Sequence, residues 1–307
     1  MKKHKRSSSP YVSLVVVAYN IPRELPRTIR SLSPEIQRGV DAEAFEIIVV
    51  DNGSTPAVDA DSLRAWGADV QVITVANPVP SPAAAINQGI EWARGELIGV
   101  MIDGARIASP GLVAGAIQAS RLHPNPVIGT LGFHLGPDVQ HRSIHDGYNQ
   151  EQEDQLLDSV NWIDDAYRLF DISVFAGSSQ RGWFAPIDES NAVFLTAAAW
   201  RDLGGFDSRF TSPGGGLVNL DTWKRACGLL GSQMILLLGE GTFHQIHGGV
   251  ATNALEHPWA AFHDEYVSIR GHKFSRPTVQ PLFIGTLHSS TRQSIISSAL
   301  SLQPDSA

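Results

Sequence analysis

Apolar and polar positions fall into alternating blocks from Val12 to Arg121. Val12 to Ala18 is short, β-branched and apolar throughout, the pattern of a strand buried on both faces. Tyr19 to Pro22 reads as its turn. Glu24 to Ser33 predicts a helix with Leu25, Ile29 and Leu32 on one face. The pattern then repeats: strand Phe45 to Val50, helix Ala60 to Trp66, strand Val70 to Val75, and a helix from Ser81-Pro82 to about Ala93. Pro82 suits its first turn, where no backbone N–H is needed. A fourth strand, Leu97 to Ile102, ends at Asp103, and Pro110 to Arg121 predicts another helix.

Strands alternating with helices imply an α/β, Rossmann-type three-layer sandwich with a mainly parallel central sheet. Ligands of such sheets bind beyond the carboxyl ends of the strands. Asn20, Asp51 to Ser54 and Asp103 fall at those ends.

The second half is less regular. Gly132 to Asn191 is rich in His, Gln, Asp and Trp, with eight acids and one basic residue, Arg168, between Asp146 and Asp171. Part of it, around Glu151 to Trp162, is helical in pattern. Two readings stand side by side: a solvated acidic insertion, or loops that hold an acceptor. Ala192 to Leu203 predicts a strand and a short helix. Pro213 to Gly216 predicts a mobile loop, Leu220 to Leu230 a helix and Gln233 to Leu238 a strand. Gly239 to Gly249 predicts a loop, and the last twenty residues a weak amphipathic helix or disorder. The expected division is a basic tail over 1–10, one domain over 11–275 with halves at 11–130 and 131–275, and an extension over 276–307.

Charge narrows the partners. The net charge is −8, yet Lys2, Lys3, Lys5 and Arg6 open the chain without an acid. The rest then holds 19 basic against 31 acidic residues. Such a body suits no nucleic acid backbone. One cysteine, Cys227, allows neither an internal disulfide nor a cysteine zinc knuckle, and fits a reducing, cytoplasmic setting. The longest apolar runs are strand-sized, so no membrane span is expected, and the basic start lacks the apolar segment of a secretory signal. Peripheral membrane association stays open.

Chemistry enters at two strand ends. Asp51, before Asn52-Gly53-Ser54, can accept the imide N–H of a pyrimidine or meet a guanine edge, and Gly53 admits close backbone approach. The competing role is an Asx turn. Asp103 can hold a divalent cation against a diphosphate, or cap a loop.

These segments together resemble the family 2 glycosyltransferases of GT-A fold. The resemblance rests on Val12 to Asn20, Glu46 to Thr55, Asn87-Gln-Gly89, Ala93 to Ile98, Ile102-Asp103 and Ser109-Pro110. It continues through Leu203-Gly-Gly-Phe-Asp-Ser-Arg-Phe210 and Leu220-Asp221-Thr-Trp-Lys-Arg225 to His244, covering roughly residues 11 to 250. It implies inverting transfer of a sugar from a nucleoside-diphosphate sugar to a saccharide or lipid-linked acceptor in surface glycan synthesis, with Mn²⁺ or Mg²⁺. It also implies roles for residues: Tyr19, Asn20 and Asp51 at the nucleotide, Asp103 at ribose or metal, and His244 at metal or diphosphate. His247, three residues on, is a candidate second ligand or diphosphate donor.

The chain departs from the family pattern twice. Where the family has Asp-x-Asp, it has Asp103-Gly104-Ala105, followed by Arg106, which can answer diphosphate charge. Where the family has Glu-Asp, it has Val218-Asn219, leaving Asp221, Glu189 or Asp207 as the base. The loss of both carboxylates favours an alternative: a catalytically weak nucleotide-sugar-binding partner of an assembly complex. Trp183 and Trp223 are candidates to stack on acceptor sugars, against core packing. A zinc site on His244, His247, His257 and His263 lacks the His-Glu-x-x-His helix of metalloproteases. Serine hydrolase, P-loop and dinucleotide motifs are absent from the sequence.

Overall fold

The computed structural model describes residues 9–67, 69–248 and 258–302. The expected basic tail (but for its last two residues), Gly249 and His257 lie outside them. The first half follows the predicted alternation: β1 (Val12–Ala18), α1 (Glu24–Ser31), β2 (Phe45–Asp51), α2 (Ala60–Arg64), β3 (Val70–Thr74), α3 (Ala83–Trp92) and β4 (Leu97–Met101). Then come β5 (Arg106–Ala108), α4 (Leu112–Ser120), β6 (Pro126–Leu135), α5 (Gln140–His145), α6 (Gln150–Val160) and β7 (Ser173–Phe175). The chain continues with β8 (Ala192–Thr196), α7 (Ala197–Leu203), α8 (Val218–Cys227), β9 (Gln233–His244), α9 (Trp259–Arg270), β10 (Leu282–Gly285) and α10 (Arg292–Leu300).

One sheet runs β10-β9-β6-β8-β4-β1-β2-β3, with β5 paired to β9 and β7 to β6. Strands β3, β2, β1 and β4 are parallel neighbours, and so are β6, β9 and β10. Only β8, among the path strands, runs against its neighbours. Strands β1, β2 and β4 are largely apolar because both faces are covered. Leu14, Val16, Ile47 and Val49 enter one core cluster, while Val15, Val17, Ile48 and Val50 enter the other. Each such side chain contributes about 1.5–3 kcal/mol of burial.

The polar groups buried between β1 and β2 are paired. Glu46, fully buried, accepts from Ser13 Oγ at 2.6 Å and from Arg94 Nε at 2.7 Å. These contacts tie β1 and β2 to the turn before β4.

Two expectations change and one holds. Gly239 to His244 is the second half of β9, not a loop, and it pairs with β6 and β5. Strand β6 and helix α9 carry no clear sequence signal and were not expected. The acid-rich segment holds α6, opened by a capping box between Asn149 and Gln152.

Candidate active site

Strands β1, β2 and β4 end on one side of the sheet, and a cavity of about 790 Å³ opens there. Tyr19, Asn20, Asn52, Gly53, Pro78 and Val79 line one side. Asp103, Arg106, His244 and His247 line its floor, and Glu189, Asn191, Asn219 and the Pro213–Gly216 turn close the far side. Local geometry explains several of these residue types. Asn20 sits at φ +51°, a region asparagine tolerates, and its Oδ1 accepts the Thr55 N–H at 2.8 Å. Gly53 has φ +93°, and a Cβ there would lie 2.7 Å from Pro78 Cγ. Gly104 lets the turn after β4 pass beneath β1: a Cβ would stand 2.4 Å from the Val17 carbonyl oxygen.

That turn delivers Asp103 and Arg106 to the end of β9, where Arg106 is in register with His244. Asp103 Oδ2 lies 2.7 Å from His244 Nε2 and 3.5 Å from His247 Nε2, and the two imidazole nitrogens are 3.1 Å apart. Gln140 fixes the tautomer of His244. Its Nε2 donates to the Gln245 carbonyl, so its Oε1 is left to accept from His244 Nδ1–H. Burial, reinforced by Arg106, pulls His244 down to about 4, so its ring is neutral at pH 7. Its Nε2 therefore turns a lone pair toward a carboxylate oxygen. Burial opposes ionisation of Asp103, but His247 above all outweighs it and holds the carboxyl well below the usual range. Burial also pulls His247 down, and Asp103 more than restores it, so its pKa is raised.

Lone pairs converging at these distances need positive charge between them, either a proton carried by His247 or a cation. The three ligand atoms lie within 4.8 Å of one another. One carboxylate oxygen and two imidazole nitrogens, one oriented from behind by an amide, form a donor set that suits a divalent transition metal.

Arg106 is only 7% exposed, and its Nε stands 3.8 Å from Asp103 Oδ2, too far for a hydrogen bond. Its Nε and Nη1 have no hydrogen-bond partner among the described residues. Burial lowers its pKa, while the charges of Asp103 and Glu189 work the other way. A buried guanidinium with unused donors on a cavity floor is an anion site in its chemistry. Opposite it, Glu189 Oε2 accepts from Asn219 Nδ2 at 2.7 Å, and the same amide reaches the Ser190 carbonyl at 3.2 Å.

Five sequence candidates sit elsewhere. Asp51 is 1% exposed and turned into its own loop: Oδ1 accepts from Ser54 N–H at 2.8 Å and Oδ2 from Val58 N–H at 3.0 Å. The Asx-turn role holds, and Asn52 and Gly53 face the cavity instead. Asp221 is 1% exposed and ion-paired to Arg225 and Arg270, each at 2.7 Å. Asp207 pairs with Arg209 and Arg270, and the Arg209 bond foremost depresses its pKa. Neither carboxylate lines the cavity. Trp183 and Trp223, at 0% and 1% exposure, have no free face for a sugar. Trp183 packs on Phe133, Phe170 and Phe175, and Trp223 Nε1 donates to the Ile187 carbonyl. Gln140 and Asn191 were missed, because an amide in an irregular segment carries no signal.

Residues 13–118 match the family model for glycosyl transferase family 2. Over 234 residues, 73% of this chain, the sequence is 26% identical to validoxylamine A glucosyltransferase from Streptomyces hygroscopicus subsp. jinggangensis (strain 5008). The protein of that name from subsp. limoneus matches equally. The chain spans about half the length of these relatives, 53% and 49%. Among solved structures, S. aureus TarS 1–349 aligns with a TM-score of 0.52 at 14% identity, over 76% of this chain and 60% of that one. Its complex with UDP-GlcNAc gives 0.52 over 84% and 65%, also at 14% identity. At that identity the likeness speaks for the fold, which is GT-A. Over residues 13–118 the chain is similar to the family 2 glycosyltransferases.

Proposed function

We propose that the protein transfers a hexosyl group, with inversion, from a nucleoside-diphosphate sugar to a hydroxyl of a saccharide or lipid-linked acceptor in surface glycan synthesis. The observation that carries this reading is the pairing, across one cavity, of an anion-seeking floor with a single carboxylate wall. The floor is Asp103, His244, His247 and Arg106, and the wall is Glu189. The relatives named as glucosyltransferases support a hexosyl donor.

In this reading the nucleoside lies along Asn20, Asn52, Gly53 and Val79. The diphosphate meets the free Nε and Nη1 of Arg106. Asp103, His244 and His247 would hold a divalent cation, which would supply further positive charge near the diphosphate; two imidazole donors favour Mn²⁺ over Mg²⁺. The acceptor oxygen forms its bond to the anomeric carbon as the bond to the phosphate oxygen breaks. Glu189 takes the hydroxyl proton, and the displaced electron pair leaves on the diphosphate facing Arg106. Asn219 holds Oε2 of Glu189, which leaves Oε1 as the proton acceptor. The Pro213–Gly216 turn covers this side, with Gly214 N–H bound to the Pro80 carbonyl at 3.1 Å.

The alternative, a nucleotide-sugar-binding partner with weak or no turnover, draws on Ala105 and Asn219 at the two places where the family has carboxylates. One experiment separates the readings. Purified protein is titrated calorimetrically with UDP, GDP, dTDP and CDP, each with Mn²⁺, Mg²⁺ or chelator, and then assayed for cleavage of the matching hexose donors. Metal-enhanced binding of one nucleotide with donor cleavage is expected. Binding without cleavage in the presence of varied saccharide acceptors would favour the partner, and no binding would overturn both.

A further inference from the structure

His244 is fixed by β9 and by Gln140, but His247 lies beyond the strand, and a histidine there needs another anchor. The anchor comes from the acid-rich insertion. Ile246, the residue before His247, has both backbone polar groups taken. Its N–H donates to Glu153 Oε2 at 2.8 Å, and its carbonyl accepts from Arg23 Nη1 at 3.2 Å and Gln150 Nε2 at 3.3 Å. The carbonyl belongs to the peptide plane that carries the nitrogen of His247, so fixing it fixes where the imidazole starts. Arg23 is itself held rigidly. Nη2 meets Glu153 Oε1 at 3.0 Å and Asp154 Oδ1 at 2.6 Å, and Nη1 meets Glu24 Oε1 at 2.7 Å. Glu153 is fully buried although it stands on a helix rich in exposed acids. Burial works to raise its pKa, and the Ile246 amide and Arg23 work against that.

A charge placed out of water, with both oxygens used on one loop and one arginine, is poorly explained by stability alone. We infer that Arg23 and Glu153 are positioning residues for His247, and that α6 sets the cation affinity of the site by holding the peptide from which His247 projects. This rests on the reading of Asp103, His244 and His247 as a cation site. Ligand atoms must sit within a few tenths of an ångström of their place, so a loosened Ile246 peptide translates directly into weaker binding.

The test uses Mn²⁺ alone with the full chain, read by electron paramagnetic resonance of the free ion. Wild type, Glu153→Gln, Arg23→Lys, His247→Ala and the double variant Glu153→Gln/His247→Ala are compared. Glu153→Gln and Arg23→Lys should each weaken Mn²⁺ binding by about 10- to 100-fold, as loss of an outer-shell partner does. In the His247→Ala background, Glu153→Gln should have little further effect, because its action runs through His247. Unchanged affinity in both single variants overturns the inference. So does a double variant weaker than His247→Ala by the whole Glu153→Gln factor, which would mark a general effect on the fold. A wild-type protein that binds no Mn²⁺ overturns the cation reading itself, a result separable from the other two.

Discussion

Asn87 and Phe206, 119 residues apart, exchange two hydrogen bonds: Asn87 Nδ2 donates to the Phe206 carbonyl at 2.8 Å, and its Oδ1 accepts the Phe206 N–H at 2.9 Å. One amide on α3 thereby clamps the turn after α7 in the same way a strand neighbour would. Gly205, at φ +68°, is required beside it, since a Cβ would lie 2.4 Å from Asn87 Oδ1. The two motifs, distant in sequence, are two sides of one contact.

Asn87→Ala leaves a buried N–H and C=O without partners. The expected loss is about 2 kcal/mol of unfolding free energy, read by urea denaturation. A loss below about 0.5 kcal/mol would show that water replaces the amide.

If Glu189 is the base, as proposed, Glu189→Gln should lower kcat by about 10²- to 10⁴-fold while nucleotide affinity changes little, since the amide cannot accept the proton but keeps the hydrogen bond from Asn219. Asp221→Asn is the contrasting variant. It strips the buried partner of Arg225 and Arg270 and should destabilise the fold by about 3–5 kcal/mol, with turnover per folded molecule preserved. Steady-state kinetics beside a melting curve separates the two, and a turnover defect in folded Asp221→Asn would return that residue to the chemistry.

The sequence exposed the first half of the fold because β1, β2 and β4 bury both faces and so are mostly apolar, with Ser13 and Glu46 as polar exceptions within them. Strand β9 hides its second half for the opposite reason. Glu240, Thr242 and His244 are polar, and the groups that accommodate Glu240 (Tyr167 and Ser109) and His244 (Gln140 and Asp103) lie far away in the chain. The site divides the same way. Asp103, His244, His247, Arg106 and Glu189 are among the sequence candidates that line the cavity, and the first of them follows β4 while His244 closes β9. Asp221 and Asp207 were misleading because their shared partner, Arg270, lies 49 and 63 residues further on and belongs to no motif. Asp51 was misleading because the N–H groups that occupy it belong to its own loop, and backbone donors leave no mark on the sequence.

Arg106→Met removes the charged donors from the cavity floor and leaves the aliphatic stem. Charge-assisted hydrogen bonds are worth about 1.5–3 kcal/mol, so affinity for the preferred nucleoside diphosphate should fall at least about tenfold. The ligand-free protein should melt higher than wild type, because a buried guanidinium with two unpartnered nitrogens is lost. Calorimetry and thermal melting read both effects. A lower melting point would mean that the 3.8 Å pair with Asp103 holds the turn in place.

Glu240 gives the molecule a pH dependence that can be isolated. Burial pushes its carboxyl up to about 7 from an ordinary 4.5, although Ser109, Tyr167 and the Gly111 N–H all hydrogen-bond it and act in the other direction. The folded protein then keeps a proton that the unfolded chain has already released between pH 4.5 and 7. Stability attributable to this group is therefore greatest below that window, falls as pH rises through it, and is constant above about 7. The span corresponds to at most about 3 kcal/mol. Glu240→Gln keeps the shape and cannot ionise. Its unfolding free energy, measured by denaturant titration from pH 5 to pH 8, should lose this downward component. The difference between wild type and variant should therefore move in the variant's favour as pH rises. Parallel curves would place the Glu240 pKa at its ordinary value and assign its three hydrogen bonds to the ionised form.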